Sequence, residues 1–248
     1  MNMILFMPWL FPVANVVSAF RLSNASGRGI VVILLIGSIF AWSIMVTKFA
    51  QLKAARAESE RFLSAYKNAG HPLALFLKRQ KYPASPLYAL YQATCRNVGQ
   101  FLKLPAASTA ELFLEKEGEG KRILKERDMR SMRNLTDQLL SEQALDLEKH
   151  MVILATAATV APFLGLLGTV WGVMDAFGGF ALSSYATLSA VAPGVSGALL
   201  TTVVGLVVAL PSLIGYNILI GRIRRLTLMM EHFVQELMAD IERHFLQE

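Results

Sequence analysis

Seventy-one consecutive residues, 151–221, carry a single charged side chain, Asp175. Within them, APFLGLLGTVWGVMDAF (161–177) and TLSAVAPGVSGALLTTVVGLVVALPSLIGYN (187–217) are too long and too apolar for a soluble core, yet both are seeded with Gly, Thr and Pro. A third apolar run, GIVVILLIGSIFAWSIMVT (29–47), is bracketed by Arg28 and Lys48. Its nineteen residues, at about 1.5 Å each, just cross a ~30 Å hydrocarbon layer. The pattern predicts an all-α integral membrane protein with transmembrane helices over 29–47, 151–177 and 190–221, the long second and third helices extending into a cytoplasmic helical bundle. A short uncharged loop, 178–189, closes the second and third into a hairpin.

Outside the spans the pattern is polar and helical. The stretch 48–150 opens on KFAQLKAARAESERFLSAYK, rich in strong helix formers. Breaks are expected at 68–72, 81–86 and 104–108, and Ser108 with Glu111 has capping-box spacing. Apolar positions at Met132, Leu135 and Leu139 keep a helical period with no break before Met151, so this helix is expected to run straight into the second span. In the tail, 222–248, Leu226, Met230, Phe233, Leu237 and Ile241 form one apolar stripe, expected to pack on 48–150. Residues 1–28 form an N-terminal segment. Its first 20 residues are uncharged, and Pro8 and Pro12 interrupt them, which favours an interfacial element over a fourth span. Pro193 is expected in the first turn of the third span, and Pro211 is expected to kink it or loosen its ladder.

Charge then orients the chain. Of 24 Lys and Arg, 17 fall in 49–150 and four in 222–248, whereas only Arg21 and Arg28 precede the first span. This bias places 49–150 and the C-terminus in the cytoplasm and the N-terminus outside. The pI of about 9.5 and the mean hydropathy of +0.45 are thereby a matter of topology; no aromatic-studded basic stripe points to nucleic acid. Cys95 is the only cysteine, so there is neither a disulfide nor a thiol cluster, and it reads as a small buried residue. His71, His150, His232 and His244 lack metal-ligand spacing. No metal or cofactor is expected. With no nucleophile–base pair and no phosphate loop, no enzymatic activity is expected either. The triplet Gly194, Ser196, Ala198 faintly resembles an esterase elbow but lies inside an apolar helix.

The small residues fall into stripes. Gly165, Gly168, Thr169 and Gly172 lie at i, i+3, i+4 and i+7 of the second span, and Gly194, Gly197, Ala198, Thr201 and Gly205 repeat the spacing in the third. Such stripes let helix backbones approach closely, the contact that drives association in lipid. Packing alone would be served by Ala. The hydroxyls of Thr169, Thr201 and Thr202 add donors and acceptors that suit either a back-bond to the helix or a hydrated path. Asp175 lies 24 residues, roughly 36 Å, beyond Met151. That places it at the outer interface, as a vestibule residue rather than a central proton carrier.

The residues LATAATVAPFLGLLGTVWGVMDAF (154–177), with AVAPG and the AL, Thr, GL, A, P series that follows in register, resemble the core of the TolQ/ExbB proteins, relatives of the flagellar stator protein MotA. The order of spans, the insert of about a hundred residues and the N-out topology agree, and the first span leans towards TolQ. The resemblance implies a pentameric ring in the bacterial inner membrane whose second and third helices line a pore. Inside the ring would sit two single-span partner helices of the TolR/ExbD type carrying an intramembrane Asp, with a TolA/TonB-like protein as a further partner and proton influx coupled to movement. It assigns Thr169 and Thr202 to the pore wall and Pro162 and Pro193, with Pro211, to the motif prolines; Thr201 and Asp175 are expected beside them on the proton pathway. One position departs from the family: where members read roughly GIAEAL this chain reads GVSGAL (194–199), so Gly197 replaces a pore glutamate. From pattern alone, a passive membrane scaffold held together by small-residue stripes remains open. Client and coupling ion are not encoded in any motif.

Overall fold

The computed structural model describes residues 19–21, 23–78, 80–101, 124–181 and 188–245. Its elements are α1 (Ala25–Lys67), α2 (Ala74–Leu77), α3 (Pro86–Phe101), α4 (Glu126–Glu148), α5 (Met151–Ala181) and α6 (Leu188–Phe245). Three of them, α1, α5 and α6, contain stretches long and apolar enough to cross a membrane. Residues 1–46 with 150–218 form one compact unit; residues 47–149 with 219–248 form the other.

The apolar unit is built from the spans. Asn24 starts α1: its Oδ1 accepts the Gly27 N–H at 2.8 Å, and its carbonyl accepts the Arg28 N–H at 3.0 Å, satisfying two of the donors that a helix start leaves orphaned. All three helices meet at a core of Ile30, Leu34, Ala161, Val208 and Ala209, with Leu164 and Val204 packed against it. The opposite faces, including Ile39, Phe163, Val170 and Leu210, are exposed large apolar side chains, the arrangement expected of helices solvated by lipid.

The polar unit has its own core. Phe62 and Phe233 meet edge-to-face at 5.3 Å between ring centres, and Tyr91 lies 5.4 Å from Phe62. Leu226, Met230, Phe233, Leu237 and Ile241 are all buried, so the stripe read in the tail packs on 47–149 as expected. Polar groups inside are paired: Tyr66 donates to Asp240 Oδ2 at 2.8 Å, Tyr91 Oη accepts the Phe76 N–H at 3.0 Å, and the hydroxyls of Ser59 and Ser85 lie 3.0 Å apart. Cys95 is buried, and burial pushes its thiol well above the usual range.

Several boundaries differ from the sequence reading. The helix before Met151 does not run on: α4 ends at Glu148, and His150 takes φ 68°, a left-handed conformation that α-helix cannot propagate. Lys48 holds this end, donating to the carbonyls of Leu147 at 3.0 Å and Asp146 at 3.5 Å. A buried cation there suits the negative end of the helix dipole. By contrast α1 runs without a break past the end expected for the first span, because no Pro or Gly interrupts 48–67, and α6 continues from its apolar run through 222–245 as the long third helix expected. Pro193 is the sixth residue of α6 and not in its first turn, since the helix begins at Leu188. Helix α5 runs to Ala181 and α6 starts at Leu188, so both enter the range 178–189 expected as a loop; residues 182–187 lie outside the described residues, as do the capping box at 108–111, the break at 104–108 and residues 1–18.

Candidate functional site

The small-residue stripes of α5 and α6 bring the two helices into backbone contact. A Cβ built on Gly165 would lie 2.9 Å from the Thr201 carbonyl oxygen and 3.0 Å from Thr202 Cα; one on Gly205 would lie 2.6 Å from the Ala161 carbonyl oxygen; one on Gly172 would lie 2.6 Å from Ala198 Cβ. Gly168 abuts the Thr201 side chain, and Gly194 faces Ala176. At Gly165, Gly168, Gly172 and Gly205 a side chain would force something to shift; at Gly194 the fit is tight. Pro162, Pro193 and Pro211 sit inside continuous helices, and each removes one ladder donor.

Gly197 departs from its stripe. The space in front of it is filled by the N-terminal segment: a Cβ there would meet Ser23 Cα at 2.7 Å, Ser23 N at 2.9 Å and the Ala19 carbonyl oxygen at 3.2 Å. The position where the resemblance implies a carboxylate is thus a seat for backbone in this chain.

The three threonines separate into two kinds. Thr201 is fully buried, and its hydroxyl lies 2.9 Å from the Gly165 carbonyl oxygen and 2.7 Å from that of Ala198. Its hydroxyl is thus taken up within the α5–α6 seam. Thr169 and Thr202 are half-buried. Thr202 Oγ1 reaches the Gly165 carbonyl oxygen at 3.1 Å and Thr169 Oγ1 at 3.5 Å, while Thr169 donates to the Leu166 carbonyl at 2.7 Å. The two hydroxyls therefore form one small polar spot among Leu166, Val170, Val203 and Leu206, all exposed and apolar. A hydroxyl bonded to a carbonyl keeps acceptor capacity, so this spot can receive a proton donor from water or from a protonated acid.

Asp175 is exposed, and one of its carboxylate oxygens accepts a hydrogen bond from Asn24 Nδ2, at the start of α1. It lies six residues, about 9 Å, further along α5 than Thr169 and about 120° round the helix from it. Its partner Asn24 was not anticipated; Ser23-Asn24 ahead of the apolar run is an N-cap signal that identifies it. Ala161 and Ala176, which complete the seam, carry no signal beyond their small size. Among the described residues no cluster of His, Cys, Asp and Glu is placed to hold a metal.

Comparison with known proteins agrees with this architecture. The model of the MotA/TolQ/ExbB proton channel family matches residues 106–232. The Tol-Pal system protein TolQ of Haemophilus influenzae is 30% identical over 218 residues, covering 86% of this chain and 88% of that protein. TolQ of Pseudomonas aeruginosa is 39% identical over 104 residues, 42% of this chain and 45% of that one. The biopolymer transport protein ExbB of Pseudomonas putida is 30% identical over 185 residues, 75% of this chain and 50% of that one.

Proposed function

Because the chain belongs to the MotA/TolQ/ExbB proton channel family, we propose that it is the ring-forming subunit of a proton-driven motor in a bacterial inner membrane. In this reading five copies surround a pore lined by α5 and α6, the N-terminus is periplasmic, and the polar unit is cytoplasmic. A TolR/ExbD-like single-span partner supplies an intramembrane Asp, and a TolA/TonB-like protein takes up the movement. The observation that carries the reading is the pairing of Thr169 and Thr202 at 3.5 Å on the open side of the seam. Two hydroxyls presented to an otherwise apolar surface are superfluous for packing but suited to solvating a carboxylic acid as it exchanges its proton.

Native mass spectrometry of the purified protein, expressed with and without a single-span partner, tests the assembly. A pentamer retaining partner chains is the expected result; a monomer or dimer indifferent to the partner leaves the small-residue stripes as scaffold packing. In the assembled complex, Thr169→Val and Thr202→Val are each expected to abolish proton-driven activity without loss of assembly. Full activity in both variants overturns the assigned role.

A further inference from the structure

Just beyond the uncharged run of the first span, α1 and α6 enclose a groove of about 530 Å³ within the polar unit. Its walls carry Lys53, Arg56, Arg222 and Arg225 against one carboxylate, Glu60, over a floor that includes the buried Leu52 and Leu226. Arg56 Nε holds Glu60 Oε1 at 2.8 Å. Lys53, Arg222 and Arg225 have no carboxylate partner among the described residues. Two of the guanidiniums are nevertheless fixed: Arg222 Cζ stacks 4.0 Å from the centre of the Phe49 ring, and Arg225 Nε donates to the Gly221 carbonyl at 3.2 Å. Each is held by its face or its Nε, which leaves terminal N–H groups for a ligand in the fork geometry that suits phosphate.

Cations gathered in one groove repel each other unless an anion joins them. Their place on the chain says which kind. Lys53 follows Thr47, the last residue of the uncharged run, by six residues or about 9 Å of helix, and Arg222 directly ends the run 176–221. The groove thus lies at headgroup depth, with an apolar floor beneath its charges. We propose that it is a phosphate-binding site whose occupant is the headgroup of an anionic phospholipid, the chemistry that basic juxtamembrane pockets select.

The test is lipid retention by the full-length protein, purified from nanodiscs of phosphatidylcholine containing one-fifth phosphatidylglycerol and read by native mass spectrometry. Wild type is expected to retain phosphatidylglycerol preferentially. The double variant Arg222→Gln, Arg225→Gln is expected to lose about 25-fold in that preference, roughly fivefold per cation. Glu60→Gln removes the opposing charge and is expected to raise it about fivefold; this gain survives as a test if the double variant fails to fold. Lys78→Gln with Arg96→Gln, exposed cations outside the groove, makes the same change in net charge and is expected to leave retention unaltered. No headgroup preference in wild type, or an equal loss in the control, overturns the site and leaves the groove to a neighbouring protein's carboxylates. Displacement of the lipid by equimolar inorganic phosphate overturns the lipid as occupant and assigns the groove to a soluble phosphate.

Discussion

Adding one methyl group at Gly205 is expected to destabilise the protein, although Ala is the better helix former. The new Cβ would stand 2.6 Å from the Ala161 carbonyl oxygen and 3.2 Å from Gly165 Cα. A relaxed C–H···O contact needs about 3.3 Å, so α5 and α6 must part by roughly 0.7 Å. A gap of that size forfeits a quarter to a half of each atom-pair attraction, itself about 0.1–0.2 kcal/mol. Over a seam of on the order of 40 such pairs the loss is about 2 kcal/mol. The Thr201 bond to the Gly165 carbonyl, now 2.9 Å, stretches to about 3.6 Å and ceases to count as one. Helix propensity returns about 1 kcal/mol, leaving a net loss of about 1–2 kcal/mol. Gly221 is the control, because nothing lies within 4 Å of a Cβ built there. Gly221→Ala should stabilise by up to about 1 kcal/mol. Denaturation in mixed detergent micelles, followed by tryptophan fluorescence, reads both. The two variants should move in opposite directions; a Gly205→Ala protein as stable as Gly221→Ala refutes the close seam.

Thr201→Val removes a buried hydroxyl with two carbonyls in reach and should cost about 1 kcal/mol of stability. Proton-driven activity should be unchanged in the surviving complex, the reverse of Thr169→Val. Gly197→Glu would drive a side chain into Ser23 and Ala19; it should expose the N-terminal segment to protease rather than restore a pore carboxylate. Lys48→Met should fray the end of α4, measured as faster amide exchange at Leu147–Lys149, since two carbonyls lose their donor. Burial, and secondarily the neighbouring His244, hold the His71 imidazole below its ordinary 6.5. The folded state therefore binds fewer protons than the unfolded one, so stability should fall as pH drops below about 6.5. His71→Gln should flatten that slope in a pH series of unfolding midpoints.

What the chain made legible and what it hid divide along physical lines. The spans stand out because an uncharged run of nineteen or more residues has few alternatives, and the tail stripe is visible because five apolar residues keep a 3.6-residue period. The break at His150 is invisible because His carries no turn signature; a left-handed φ there is imposed by tertiary packing and not by propensity. The long unbroken α1 was cut at charged residues in the sequence reading, yet charge marks the membrane boundary and says nothing about where a helix stops. The site shows the same division. Glycine spacing revealed a seam, but spacing cannot say what each glycine faces, so Gly197 was grouped with positions that pack on α5 when it packs on Ala19–Ser23. Thr201 and Thr202 are adjacent in sequence and about 100° apart around the helix, enough to bury one and leave the other partly open.

That angular difference bears on how protons would cross. A threonine hydroxyl accepts and donates hydrogen bonds but does not hold a proton or a charge near neutral pH. Between residues 151 and 221 the chain offers one acid, Asp175, and it is exposed and engaged with the cap of α1. The Gly197 position, occupied by backbone, has no room for another. On the function proposed, a chain built this way would provide the solvating half of a proton site, with two acceptor oxygens in an apolar wall, and a partner would supply the titrating half. An acid entering from a separate helix would be costly to ionise in such a wall. The Thr169–Thr202 pair, with water, would lower that cost where it stands and nowhere above or below it. A carboxylate confined to one depth but free to move laterally would then change protonation only as it passes the pair, which ties proton transfer to motion. Moving one hydroxyl of the pair by one helical turn, with Thr202→Val and Leu206→Thr together, should therefore abolish coupling even though the number of hydroxyls is conserved. A double variant that retains proton-driven work would refute the dependence on depth.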